Sequence, residues 1–315
     1  MLTKIVQKTG IANIVAALSQ RISTGELTTL LLEVMRIKTS ETKPHTLLAK
    51  YRENRFVKPA ELDPILAKTA EIKILELFQK AGVQPLELAP VSVLGSCSAY
   101  GKVNQNNILS ALRSCEVVAD PSNILLLVML NHLLENRDLD SLDCCASQRV
   151  LRTNYFQSPL FTPHFLLFNS AALIRSAEPE ALIDKAFSHI QLTYRTYREI
   201  FGLQDLMLVI RKKRKKQDLF RKMVDKMALF EAIPFASDET PTSNYYEGFQ
   251  AKWYFCQSGE RIEIGDCGFV DWPRQIRNEK ELHYFISGLG LELLLKMNLG
   301  TLEGVDADRR DSEDS

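Results

Sequence analysis

Across residues 1–84 apolar side chains return every three to four positions, the spacing of helices with one buried face. Ile11, Ile14, Val15, Leu18 and Ile22 fall on one such face, and Gly25 is placed to end that helix. Thr24 can cap a second helix carrying Leu27, Leu30, Leu31 and Val34. After a polar stretch around Pro44, "KPAELDPILAKTAEIKILELFQKAG" predicts a third helix closed by Gly82. The pattern then changes to short apolar runs punctuated by Pro, Gly and Asn, as in strands and loops. "SNILLLVMLNHLLEN" predicts a strongly apolar helix that Asp120 or Ser122 can cap.

The second half alternates differently. "RVLRTNYF" and "HFLLFNSA" are β-prone runs joined by the proline-containing "QSPLFTP", which predicts an antiparallel hairpin. "PEALIDKAFSHIQLTYRTYREIFG" predicts a long helix ending at Gly202, and "DLMLVI" a short buried strand. The next helix is expected to open with "RKKRKK", six consecutive cations from Arg211 to Lys216. In "YYEGFQAKWYF", Phe249, Ala251, Trp253 and Phe255 face one way and Gln250, Lys252 and Tyr254 the other. "QSGE" turns the chain and "RIEIG" returns it, a second hairpin. Strands linked as hairpins favour an α+β fold, a mainly antiparallel sheet flanked by helices. Three regions are expected: helical N-terminal residues 1–84, an α+β domain at 85–302, and a disordered polar tail at 303–315.

Composition narrows the partners. Thirty-nine basic residues balance thirty-nine acidic ones, so no global field recruits nucleic acid, and any RNA binding must come from a local patch. The run from Arg211 to Lys216 is the candidate: a solvated helix face, an RNA-backbone contact or a localisation signal. No apolar run approaches the roughly 20 residues of a membrane span. The N-terminus, broken by Lys8 and Gly10, lacks the apolar core of a signal peptide. Cys97, Cys115, Cys144, Cys145, Cys256 and Cys267 form no CxxC pair, and free thiols in a reducing cytoplasm are expected.

The order of parts resembles the catalytic core of class II aminoacyl-tRNA synthetases. The second signature of that class is Arg-x-acid, a loop, then His or Arg, three residues, and Phe. Here Arg152 leads "RTN", and "HFLLF" supplies His164 and Phe168. The third signature alternates Gly with apolar residues and ends in Glu-Arg before a helix; "SGLGLELLL" supplies Gly288, Gly290 and Glu292, then Leu293 in the arginine's place. Within the class, the histidyl enzyme and the regulatory subunit of ATP phosphoribosyltransferase look most similar. "PTSNYYEGFQAKWYF" keeps that group's Tyr245, Tyr246 and Gly248, and "GDCGFVDW" echoes its return strand through Gly265, Gly268 and Asp271. The chain departs from the pattern at Leu293, at Asn154 and Ala172 in place of acids, and at Pro241 in place of a strand arginine. The resemblance is expected to stop soon after the third signature, short of the family's anticodon-binding domain.

The resemblance implies a homodimer and a small-molecule pocket that takes ATP with Mg and an amino acid. Arg152 would be the catalytic cation on the α-phosphate. His164, Phe168, Glu292, Gly288 and Gly290 would complete the nucleotide site, and Tyr245, Tyr246, Gly248, Asp266 and Asp271 the substrate site. No resident metal ligands are assigned. Leucine at 293 can neither fork onto phosphate oxygens nor stack on a purine as a guanidinium does. Lys296, one turn past Glu292, is the one cation placed to substitute.

Ordinary structural roles stand beside these. Arg152 can pair with Glu263 or Asp271, and His164 can simply close its hairpin. One of Tyr245 and Tyr246 should face the core and the other the pocket. Phe168, Trp253 and Phe269 suit a core, and Asp266 and Asp271 suit turns. Two functions from one ancestry result. One is a paralogue that has left ordinary tRNA charging and binds a nucleotide or amino acid in a regulatory or altered role. The other is an active ATP-dependent ligase that adenylates an amino acid or related carboxylate.

Overall fold

The computed structural model describes residues 1–101, 103–136, 138–155, 162–242, 245–257 and 260–297. The expected polar tail, half of the "QSGE" turn and most of the "QSPLFTP" loop lie outside them. The chain opens with helices α1 (Leu2–Thr9), α2 (Ile14–Gln20), α3 (Thr24–Ser40) and α4 (Leu47–Glu53), none of which buries a residue. The cap of α3 is Ser23, not Thr24. Its hydroxyl accepts the Glu26 N–H, and the Glu26 carboxylate accepts the Ser23 N–H. That reciprocal box satisfies two helix-end donors at once, so Gly25 is drawn into the first turn of α3 instead of ending α2. Helix α5 (Pro64–Lys80), capped by Asp63, is different in kind. Its Ala67, Ala70, Ile74 and Phe78 enter the main core, with the Phe78 ring 4.7 Å from that of Phe168.

Next come β1 (Gln84–Pro85), β2 (Val91–Val93), the short α6 (Ser96–Ala99), β3 (Ser110–Ala111) and β4 (Cys115–Val117). Helix α7 (Pro121–Glu135) follows, capped by Asp120, then the hairpin β5 (Ser141–Leu151) and β6 (His164–Arg175). After α8 (Pro179–Arg195) and one π turn come β7 (Leu206–Lys213), α9 (Gln217–Ala228) and β8 (Phe235–Thr242). The chain ends through the hairpin β9 (Tyr246–Gln257) and β10 (Glu260–Val270), α10 (Trp272–Arg277), β11 (Leu282–Leu289) and α11 (Leu291–Lys296).

Eight strands form one sheet in the order β1-β5-β6-β11-β10-β9-β7-β8. The five inner pairings are antiparallel and the two edge pairings, β1 with β5 and β7 with β8, are parallel. The α+β expectation therefore holds, with α5, α8, α9 and α11 packed on one face. On the other face α7 covers β5, β6 and β11 only. Where α7 stops, that face opens into a cavity.

The basic run does not open a helix. Arg211 to Lys213 complete β7, and Lys216 sits at φ 50° as the residue before α9. Alternation along β7 explains it: Leu206, Leu208 and Ile210 are buried, and the strand continues until its pairing with β9 ends at Lys212. All six cysteines are free thiols. Among the described residues no helix is long and apolar enough to cross a membrane.

Candidate functional site

The cavity is about 340 Å³ and lies between the start of α7, the hairpin strand β6, and the β10–β11 pair. Arg152, just past β5, and the Gly288–Gly290 bend, where β11 turns into α11, both line it. The two signatures thus converge on one space. Leu293 also lines it, so the position where the third signature carries its cation presents an isobutyl group. Close strand packing shapes the floor. A Cβ on Gly265 would lie 2.5 Å from the Gly288 carbonyl oxygen and 2.5 Å from the Tyr197 hydroxyl, so only glycine fits.

Alternation along β6 decides which of its residues can touch a ligand. Phe165, Leu167 and Asn169 line the cavity, whereas Leu166 and Phe168 point through the sheet into the core. Phe168 is therefore no nucleotide platform; its ring packs on Phe78. Trp253 and Phe269 are core as well. Tyr245 and Tyr246 both line the cavity, against the expectation that they would split. Tyr245 precedes β9, so strand alternation does not govern it, and its ring stacks on Trp272 at 6.0 Å.

The wall is mostly apolar, and its charged groups are mostly acidic. Asp120, Glu263, Asp266 and Glu292 line the cavity, and Arg152 is the one cation on that wall among the described residues. Arg152 is itself engaged. Its Nε donates to the Ala119 carbonyl at 2.9 Å, and its guanidinium lies 3.7 Å from Asp120 and 5.4 Å above the Phe165 ring. Its partner is Asp120, not Glu263 or Asp271. Glu263 pairs with Lys252 at 2.7 Å. Buried Glu292 accepts from Arg149 at 2.9 Å and pairs with Lys296 at 2.8 Å. Burial would raise its pKa, but the bonds from Lys296 and Arg149 outweigh this and hold the carboxyl below its usual range. Lys296 thus neutralises Glu292 and does not line the cavity in place of the missing arginine.

Asp266 is the acid with the least charge compensation. Tyr246 Oη and Gln250 Nε2 both donate to its Oδ2 at 3.0 Å. Burial pushes its pKa up, and these two bonds offset that only in part. Across from it, buried Asn169 has an Oδ1 that takes no hydrogen bond among the described residues.

Besides Phe168, three expected site residues lie outside the cavity lining. His164 ends the hairpin: its ring meets the Lys58 carbonyl through Nε2 at 2.6 Å and Arg149 through Nδ1 at 3.2 Å. A carbonyl only accepts and a guanidinium only donates, so the proton sits on Nε2. Gly248 forms a bulge at φ 67°, where a Cβ would lie 2.8 Å from that of Leu219; it seats α9 and not a ligand. Asp271 begins α10 and faces Lys215 at 3.6 Å. Pro241 is exposed at the end of the edge strand β8. Sequence reasoning passed over Asp120 as anything but a cap, and missed Arg149, Asn169 and Gln250, whose only signal was strand phase. It also missed a buried Ser170–His189–Asp143 chain, with both links at 2.9 Å, under the sheet's opposite face. Ser170 is 1% exposed, so this chain ties α8 to the sheet and meets no substrate.

No family sequence model matches the chain, and no curated protein matches it in sequence. Solved structures do. A threonyl-tRNA synthetase from Aeropyrum pernix superposes with a TM-score of 0.61 at 14% identity, covering 73% of this chain and 58% of that one. The histidyl-tRNA synthetase of S. aureus gives 0.57 at 12%, covering 76% and 69%. An ATP phosphoribosyltransferase regulatory subunit/histidyl-tRNA synthetase from Bacillus halodurans gives 0.57 at 11%, covering 76% and 82%. The chain has the class II aminoacyl-tRNA synthetase-like fold.

Proposed function

We propose that this chain is a divergent paralogue on that fold, which has left ordinary tRNA charging and binds a small molecule bearing a cationic amine, of the amino-acid type, in a regulatory role. One observation carries the reading: of the four carboxylates that face the cavity, Asp120, Glu263 and Glu292 are paired with cations, whereas Asp266 has only the neutral donors Tyr246 and Gln250 among the described residues. The single lining guanidinium is already held by Asp120 and the Ala119 carbonyl. Phosphoryl chemistry places negative charge in its site and needs cationic clamps. Among the described residues the cavity offers a triphosphate no free clamp, whereas Asp266 offers an ammonium group a carboxylate with no ion-pair partner.

Calorimetric titration of the full chain with each of the twenty L-amino acids, and separately with ATP and Mg, tests the proposal. At least one amino acid should bind, Asp266→Asn should weaken it by about tenfold or more, and ATP-pyrophosphate exchange should be absent. Robust exchange that Arg152→Ala abolishes would instead establish the ligase reading, with ATP and Mg as its cofactors. A homodimer is part of the proposal, by analogy with the fold. The RNA reading through Arg211 to Lys216 is weaker support for function, because Arg211, Lys213, Lys215 and Lys216 all have partners within the chain.

A further inference from the structure

Of the six cations from Arg211 to Lys216, Lys213 alone is buried, at 3% exposure. Its Nζ donates to Thr242 Oγ1 and to Gln250 Oε1, each at 2.9 Å. An ammonium has donors and no acceptor. The Gln250 amide must therefore turn its oxygen to Lys213, which leaves Nε2 facing Asp266 on the next strand. Without a donor-only neighbour at Oε1, the Lys213–Gln250–Asp266 chain itself no longer dictates which end of the amide faces Asp266. An amide oxygen facing Asp266 is compatible only with a protonated carboxyl, and burial already favours the protonated form. The sense of one amide thus decides whether the cavity floor is an anion or a neutral acid.

We infer that Lys213 is a positioning residue that sets the specificity of the cavity: by locking the Gln250 amide it keeps Asp266 an acceptor and commits the floor to cationic amines over neutral ligands of the same shape. The ligand preference rests on the amine reading above, whereas the control of Asp266 does not. Lys213 is not part of the cavity lining; it reaches Asp266 through Gln250 and also through its own charge. Arg211 and Lys252 also bear on Lys213, and Glu263 and Lys252 on Asp266, so charge and amide orientation must be separated.

The test is a carbon-13 titration of the Asp266 carboxyl in the ligand-free full chain, for wild type, Lys213→Arg, Lys213→Gln and Gln250→Met. Glutamine at 213 both donates and accepts, so it does not fix the amide; methionine at 250 keeps the Lys213 charge and removes the amide. Both should raise the Asp266 midpoint by about one pH unit or more, and arginine should hold it within about half a unit of wild type. An unmoved midpoint in Gln250→Met overturns the inference, even if Lys213→Gln fails to fold. The second arm compares the tightest-binding L-amino acid with its deaminated acid. Lys213→Gln should narrow the preference about tenfold, and an unchanged preference overturns the specificity role. If wild type binds no amino acid, the amine reading fails while the titration still decides what Lys213 does.

Discussion

At the scale of single residues, the cavity is organised by compensation of buried charge. Glu292 is 2% exposed at its side chain and depends on two cations from different elements, Arg149 on β5 and Lys296 on its own helix. Removing one partner of a fully buried pair costs about 3–5 kcal/mol. Arg149 is 37% exposed and Lys296 remains, so Arg149→Ala should cost less, about 2 kcal/mol after solvent screening. Chemical denaturation of the variant checks this, and Arg149→Ala with Glu292→Gln should recover most of the loss. Loss without recovery would mean that Arg149 acts by packing. The same scale shows what a motif can convey. Arg152, Glu292, Gly288, Gly290, Tyr245, Tyr246 and Asp266, all named from the family resemblance, line the cavity. Phe168 does not, because a motif fixes distance along the chain and not the face of the strand; one residue of phase moves a ring from site to core.

Elements were legible where one periodicity prevailed over a long stretch. Helices α5, α7 and α8 and the two hairpins follow from apolar spacing, and the Asp120 cap from local chemistry. The β7–α9 junction was not, because a run of cations looks solvent-facing whatever its backbone does. Lys216 there lies 3.1 Å from His283 of β11, beside a Glu247 carboxylate that Arg274 and Lys216 also contact. Burial first, then Lys216 and Arg274, pushes the His283 pKa down from 6.5 to about 4. A base held neutral in the fold contributes stability above pH 6.5 that is lost as pH falls towards 4, at most about 3 kcal/mol. Denaturant melts of wild type and His283→Gln across that window should therefore converge as pH drops. Parallel curves would show that the ring is not held neutral in the folded chain.

For the whole molecule, hairpin connections made the antiparallel bias readable, but not the strand order. The placement of β11 between β6 and β10 joins segments far apart in the chain, and packing across the sheet sets it, not local pattern. The same contrast separates α1–α4 from everything after Asp63. Those four helices bury no residue, although Leu30, Val34, Leu47 and Leu48 are apolar and exposed. In proteins most helical stability comes from a packed face, which these helices lack, and local opening costs least where burial is least. In the isolated chain, brief proteolysis should cut first within residues 1–62 and leave a fragment beginning near α5 that still melts cooperatively, since α5 is part of the main core. The proposed homodimer supplies the contrast. If a second copy covers the exposed apolar side chains, protection of the arm should rise with protein concentration and fall on dilution. Cleavage that is early at every concentration places the arm outside that interface, and protection that persists on dilution shows that the arm is covered within one chain.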